Sequence, residues 1–308
     1  MTAPAQVTSR TRSRLGARRR RSALAWFLVL AGPNIALLLV FTYRPLVESV
    51  RLSFLQWNLG SPVARFIGWG NYEEWITSPH AGQVLTTTLI FTVATVGGAI
   101  LLGLLLAILL DQKLAGRGFV RATAFAPYVV SGFAMGILWL FIFDPRYGLV
   151  STLLGAVGLS SPQWYQSPGW ALVMLIIVYL WKNLGYVALI YLAGLQAVPQ
   201  DLKDAAALDG ASPARTMRSI VLPLITPTTF FLLVTLMLAS LQTFDVIHAM
   251  TRGGPLGGTT TLMYQVYEES FVNGRAGYAS AVATILFVLL LAITALQMRF
   301  IERKVHYS

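Results

Sequence analysis

Apolar and polar positions along this chain fall into long blocks rather than a short rhythm. Five runs carry no Asp, Glu, Lys or Arg: Ser22 to Tyr43, Ala81 to Leu110, Ala122 to Phe143, Ser219 to Phe244, and Ala276 to Met298. A sixth run, Trp170 to Leu192, is as apolar but contains Lys182. A helix rising 1.5 Å per residue needs about 20 residues to cross a hydrocarbon core of about 30 Å, and every run reaches that length. The pattern predicts an all-α membrane protein with six transmembrane helices, at about 23–43, 84–110, 122–143, 170–192, 223–248 and 276–300. Strands of an outer-membrane barrel would be about 10 residues long and alternate in polarity, and no such alternation is present.

The connections divide by charge. Arg10, Arg12, Arg14, Arg18, Arg19, Arg20 and Arg21 precede the first span; Lys113, Arg117 and Arg121 lie between the second and third. Lys203, Arg215 and Arg218 lie between the fourth and fifth, and Arg299, Arg303 and Lys304 follow the sixth. The alternate connections hold only Arg44, Arg51, Arg65, Arg146, Arg252 and Arg275. Lys and Arg in short loops stay on the cytoplasmic side, so both termini are expected there. The resulting organisation is a basic segment 1–22, a transmembrane domain 23–301 with an inner loop at 199–222, and a tail 302–308. The arginine run before an apolar stretch imitates a signal peptide. The uncharged run is longer than the 7 to 15 residues typical of such a segment, so an uncleaved first span is expected.

Composition agrees with a bilayer as solvent. Hydrophobic residues make up 56% of the 308, charged residues 11%, and mean hydropathy is +0.66, whereas a soluble domain carries about 25% charged residues. The net charge of +11 lies wholly on the predicted cytoplasmic side, where it suits anionic lipid headgroups, so no nucleic-acid partner is needed to explain it. Without cysteine there are no disulfides, thiolate nucleophiles, Fe–S clusters or cysteine–zinc sites. No G-x-x-x-x-G-K-[ST] motif is present, so this chain is not expected to hydrolyse nucleotide through a P-loop. There is no H-E-x-x-H or G-x-S-x-G, and His80, His248 and His306 are too scattered to compose a metal site. Neither catalytic nor metal-binding residues are expected.

The informative connection is the inner loop at 199–222. Pro199 suits a first helical position, Asp201 and Asp204 suit the positive end of a helix dipole, and Gly210 suits the left-handed residue past its end. Ser212 and Pro213 then open a second helix. The prediction is a helix at about 200–208, a glycine bend and another helix, serving as a plain surface hairpin or as a docking element.

Within the spans, Lys182 and Asp245 are the permanently ionisable groups at membrane depth. A charge at the bilayer centre costs at least about 2.5 to 3.5 kcal/mol, so each needs a partner or a wet cavity. They can pair with each other, snorkel to an interface, or touch a substrate. Asn183 and Tyr186 follow Lys182, and Ser240, Gln242 and Thr243 precede Asp245, with Ser240, Thr243 and Ile247 on one face of a continuous helix. Such small polar groups are either packing contacts between helices or cavity lining.

Asp204-Ala205-Ala206, Asp209-Gly210-Ala211, Ile220, Leu222-Pro223 and Pro227 resemble the EAA loop of permease subunits of binding-protein-dependent ABC importers. Phe41-Thr42-Tyr43-Arg44-Pro45, Trp57-Asn58, Phe143-Asp144-Pro145, Trp181-Lys182, Phe244-Asp245, Gly253-Gly254-Pro255 and Gly277-Tyr278 are similar to the carbohydrate and glycerol-3-phosphate group of that family. The likeness runs from about residue 24 to 307, with Asp204, a shorter side chain, where the family has Glu. It implies a transport subunit in the bacterial inner membrane, without a cofactor of its own. ATP and Mg would be held by a separate ATPase dimer, docked on Asp204, Ala205, Ala206, Asp209, Gly210 and Ala211. A second homologous permease and an extracytoplasmic solute-binding protein complete the implied assembly. The implied cargo is sn-glycerol-3-phosphate or a glycerophosphodiester, or alternatively a mono- or oligosaccharide, with Lys182, Asn183, Tyr186, Ser240, Gln242, Thr243 and Asp245 along its path. An intramembrane lipid-modifying enzyme would need paired carboxylates or histidines at one depth. An ion-coupled transporter would leave the docking loop unexplained.

Overall fold

The computed structural model describes residue 27 and residues 29–112 and 116–301. The basic segment 1–22, the start of the first apolar run, Lys113 and the tail 302–308 lie outside the described residues. The chain divides into two units, residues 1–52 and 53–308. In the first, the helix Val29–Leu52 is long and apolar enough to span a bilayer and carries an ion pair between Arg51 and Glu48 at 2.5 Å. In the second, the helices Ala81–Leu110, Pro168–Ala197 and Ala276–Arg299 and the stretch Thr226–Met250 pass the same test of length and apolarity.

The third predicted span departs from expectation. It is two helices, Arg117–Val129 and Gly132–Ile142, bent by 102°. Pro127 lies inside the first and removes one amide donor, while Val130 and Ser131 are extended (ψ 139° and 130°). In hydrocarbon such a break persists only where neighbouring groups satisfy the freed backbone. The fifth predicted span is also interrupted, at 242–244, between Thr226–Leu241 and Asp245–Met250.

Small residues bring the helices close. A Cβ added at Gly103 would fall 2.5 Å from Val187 Cγ1, one at Gly185 would fall 1.8 Å from the Ala124 carbonyl oxygen, and one at Gly136 would fall 2.7 Å from Ala249 Cβ. The helix 81–110 therefore lies along 168–197, the half-helix 117–129 lies on 168–197, and the half-helix 132–142 lies on 245–250. Such contacts suit a membrane, where close van der Waals approach replaces the hydrophobic effect between helices. One buried core surrounds Ala99, Val187, Tyr191 and Leu232, and another surrounds Phe91, Met174, Val178 and Ile247.

At one end of this second unit, Leu55–Gln56 and Arg65–Phe66 form a short antiparallel pair beside the helix Gly70–Thr77. The buried Asn71 amide donates to the carbonyls of Ser53 (2.8 Å) and Leu55 (3.0 Å). Trp75 Nε1 donates to Gln265 Oε1 at 3.0 Å, and Arg275 bonds Glu74, which tie this segment to the 262–278 region. At the end of the 168–197 helix follow the helix Gln200–Leu208 and the short helix Pro213–Thr216, continued by a wider turn over Met217–Val221.

Candidate functional site

A cavity of about 360 Å³ opens between the 168–197 helix and the two breaks. Its walls include Tyr128 before the first break, Tyr179, Lys182 and Asn183 of the long helix, and Gln242, Thr243 and Asp245 at the second break. Five of the seven residues singled out from the sequence are thus brought together. Lys182 Nζ donates to the Val130 carbonyl at 3.2 Å, and Asp245 Oδ1 accepts from the Val246 amide at 2.9 Å. The Asn183 amide donates to Tyr179 O at 2.8 Å, leaving its side-chain oxygen as an acceptor, and the Thr243 hydroxyl donates to Ala239 O at 2.9 Å.

Lys182 and Asp245 line the same space without forming an ion pair. The ion pairs among the described residues are Arg51–Glu48, Arg275–Glu74 and Arg275–Glu269. Each of the two intramembrane charges has a backbone neighbour instead.

Two of the seven lie elsewhere. Ser240 is buried, 2.9 Å from the Thr95 hydroxyl, and so bridges the 226–241 and 81–110 helices. A shared face for Ser240, Thr243 and Ile247 requires a continuous helix, and the interruption at 242–244 turns Thr243 to the cavity while Ser240 stays in the packing. Tyr186 stands behind the wall, its ring stacked on that of Tyr128 with centroids 4.5 Å apart. Tyr128, Tyr179, Val130 and Gly132 were not singled out by sequence. They read as ordinary apolar-run residues, and only the break gives them a role. His248 sits among Phe244, Phe133 and Tyr267 rather than at the cavity.

A second recess of about 350 Å³ lies at the end carrying the 251–275 segment, lined by His80, Gln83, Arg252, Glu268, Glu269 and Asn273, among others. Burial, and then the neighbouring Glu269 carboxylate, hold the Glu268 carboxyl above the usual range.

The loop at 199–222 has a defined C-terminal cap. The Ala211 amide bonds Ala206 O at 2.9 Å and the Gly210 amide bonds Ala207 O at 3.1 Å, with Gly210 at φ +75°. This is the double bond pattern that closes a helix through a left-handed residue. Ser212 Oγ then accepts from the Arg215 amide at 3.4 Å and starts the next helix. Asp204 Oδ1 accepts from Gln200 Nε2 at 2.9 Å; Asp204, Ala205, Asp209 and Gly210 are exposed, as is Leu208 at 91%, while Ala206 is buried. The helix is therefore short and capped, with an exposed apolar tip.

Residues 99–307 match the family model described as the binding-protein-dependent transport system inner membrane component. The chain belongs to that family. It is 38% identical over 286 residues to the sn-glycerol-3-phosphate transport system permease protein UgpA of Brucella abortus, covering 92% of this chain and 97% of that one. The protein of the same name from Pectobacterium atrosepticum is 35% identical, covering 94% and 97%. Among solved structures, a bacterial ABC transporter involved in import of the acidic polysaccharide alginate superposes with a TM-score of 0.81. It is 23% identical and covers 94% of this chain and 99% of the other, a likeness that establishes the fold. The MetNI methionine ABC transporter gives a TM-score of 0.51 at 18% identity, covering 75% of this chain. This member of the family is an all-α permease subunit of an ABC importer, a multi-pass component of the inner membrane.

Proposed function

We propose that this permease forms half of the translocation pathway for sn-glycerol-3-phosphate or a glycerophosphodiester. The observation that carries the reading is Lys182: a cation on a membrane-spanning helix, in the wall of a polar cavity, in a chain whose 35–38% identical relatives are named for sn-glycerol-3-phosphate. An ammonium offers a point charge to phosphate where water is scarce, and Asn183, Gln242 and Thr243 supply polar atoms for the glycerol hydroxyls.

A second homologous permease supplies the other half of the path, an extracytoplasmic solute-binding protein delivers the cargo, and two ATPase copies bind the inner face. Both termini lie on that inner face. The ATPases hold ATP and Mg; this chain contributes no catalytic group and no metal ligand. Asp204, Ala205, Ala206, Asp209, Gly210 and Ala211 form the docking element. Nucleotide-driven closure of the ATPases shifts this element, and the interrupted helices exchange an outward for an inward opening.

A saccharide cargo is favoured by one feature, the Tyr128 and Tyr179 rings in the cavity wall beside amide and hydroxyl groups. Hydrolysis of ATP by the assembled complex distinguishes the two. The loaded binding protein should stimulate hydrolysis with sn-glycerol-3-phosphate or a glycerophosphodiester and not with a neutral disaccharide. Stimulation by the disaccharide alone would establish the saccharide reading.

A further inference from the structure

The break in the 117–142 stretch exposes two helix ends inside the membrane. The carbonyl end of 117–129 carries partial negative charge and the amide end of 132–142 partial positive charge. Ser131, at the start of the second half, makes no side-chain cap bond. Hydrocarbon offers such ends no water, so each needs a polar neighbour.

Each has one, of the complementary sign. Lys182 Nζ donates to the Val130 carbonyl at 3.2 Å, at the negative end. At the positive end the Asp245 carboxylate lies against Gly132, where an added Cβ would fall 1.6 Å from Oδ2 and 3.0 Å from Oδ1. Only glycine admits the carboxylate there. We propose that Lys182 and Asp245 are positioning residues that hold this break in place, each neutralising one exposed helix end, rather than partners of each other.

The packing gives the proposal its mechanical sense. Lys182 rises from the long helix, which touches the 117–129 half through Gly185 and the Ala124 carbonyl. Asp245 opens the short helix 245–250, which touches the 132–142 half through Gly136 and Ala249. Each charge therefore belongs to the same packed pair as the half-helix whose end it faces. The two pairs meet at the breaks, 130–131 and 242–244, on either side of one cavity. They can move as units about these breaks while both charges keep their backbone neighbours. The proposal is independent of which cargo is carried.

The test is a distance measurement on the complete importer in nanodiscs, without cargo or nucleotide. Spin labels go on cysteines replacing Phe119 and Phe141, both exposed, one on each half, in a chain that has no cysteine of its own. Lys182→Met and Asp245→Asn should each at least double the width of the distance distribution, Lys182→Arg should preserve it, and the double change should be at least as broad as either single one. Gly132→Ala should broaden it by displacing the carboxylate. Should Lys182→Met fail to assemble, Lys182→Gln, which keeps a donor but no charge, should give an intermediate width. A distribution unchanged by either single variant would overturn the proposal, leaving the charges to the cargo alone. Recovery of the native width in the double variant would also overturn it, in favour of an ion pair.

Discussion

Gly185→Val should abolish transport by forcing apart the 168–197 helix and the first half of the broken stretch. Its added Cβ would fall 1.8 Å from the Ala124 carbonyl oxygen and 2.4 Å from the carbonyl carbon, so the conflict is with backbone rather than with a side chain that could rotate away. Overpacking against mobile side chains costs about 1–3 kcal/mol. Here a whole half-helix must shift, and the loss should exceed that range. Even Gly185→Ala carries the offending atom. Purified complex should show a much lower midpoint of thermal inactivation and no measurable uptake. Gly97→Ala supplies the contrast, because it lies in the 81–110 helix with nothing within 4 Å of the new methyl. Alanine is favoured over glycine in a helix interior by about 1 kcal/mol, so Gly97→Ala should leave the midpoint unchanged or raise it. If both glycines tolerate alanine equally, the close approach at Gly185 is not a feature of the assembled transporter.

Gly210→Val should lower cargo-stimulated hydrolysis and transport together without preventing insertion. The position is open, with nothing within 4 Å of an added Cβ, so the penalty is conformational rather than steric. At φ +75° an L-residue pays about 1–2 kcal/mol, and a β-branched one more. The cheapest relief is to abandon the left-handed cap, which breaks the bonds from Gly210 and Ala211 to Ala207 and Ala206 and re-aims the 200–208 helix. Cargo-stimulated ATP hydrolysis and uptake should fall together in proteoliposomes, while the amount of membrane-inserted subunit stays constant. Gly210→Asn, which tolerates the left-handed region, should retain most of the activity. Normal transport by Gly210→Val would make this loop a passive connection.

Much of this architecture is legible in the sequence because hydrocarbon imposes its demands on composition. The apolar runs mark the long helices, and the inner bend is spelled out by Gly210 with its left-handed backbone, Ser212 with its capping hydroxyl and Pro213 with its fixed φ. The two interruptions were hidden. Ala122 to Phe143 is uniformly apolar, and proline inside a membrane helix is compatible with a straight span, so Pro127 alone does not announce a bend of 102°. What fixes the break is supplied from elsewhere in the chain: the ammonium of Lys182 at Val130 and the carboxylate of Asp245 at Gly132. The same long-range dependence explains why the sequence could single out both charges yet leave their relation open. Gln242 and Thr243 were legible as polar residues in an apolar stretch, but their separation from Ser240 depends on where the helix stops. Tyr128 and Tyr179 became visible only when the helices were set side by side.

The most direct measurement is uptake of labelled sn-glycerol-3-phosphate into proteoliposomes holding this chain with its partner permease and ATPases, ATP inside and the solute-binding protein outside. Accumulation should require enclosed ATP, and Lys182→Met should reduce its rate by at least about tenfold, equivalent to about 1.4 kcal/mol of lost interaction in the path. Accumulation that proceeds without ATP, or that Lys182→Met leaves unchanged, would contradict ATP-driven passage of an anionic cargo through this cavity.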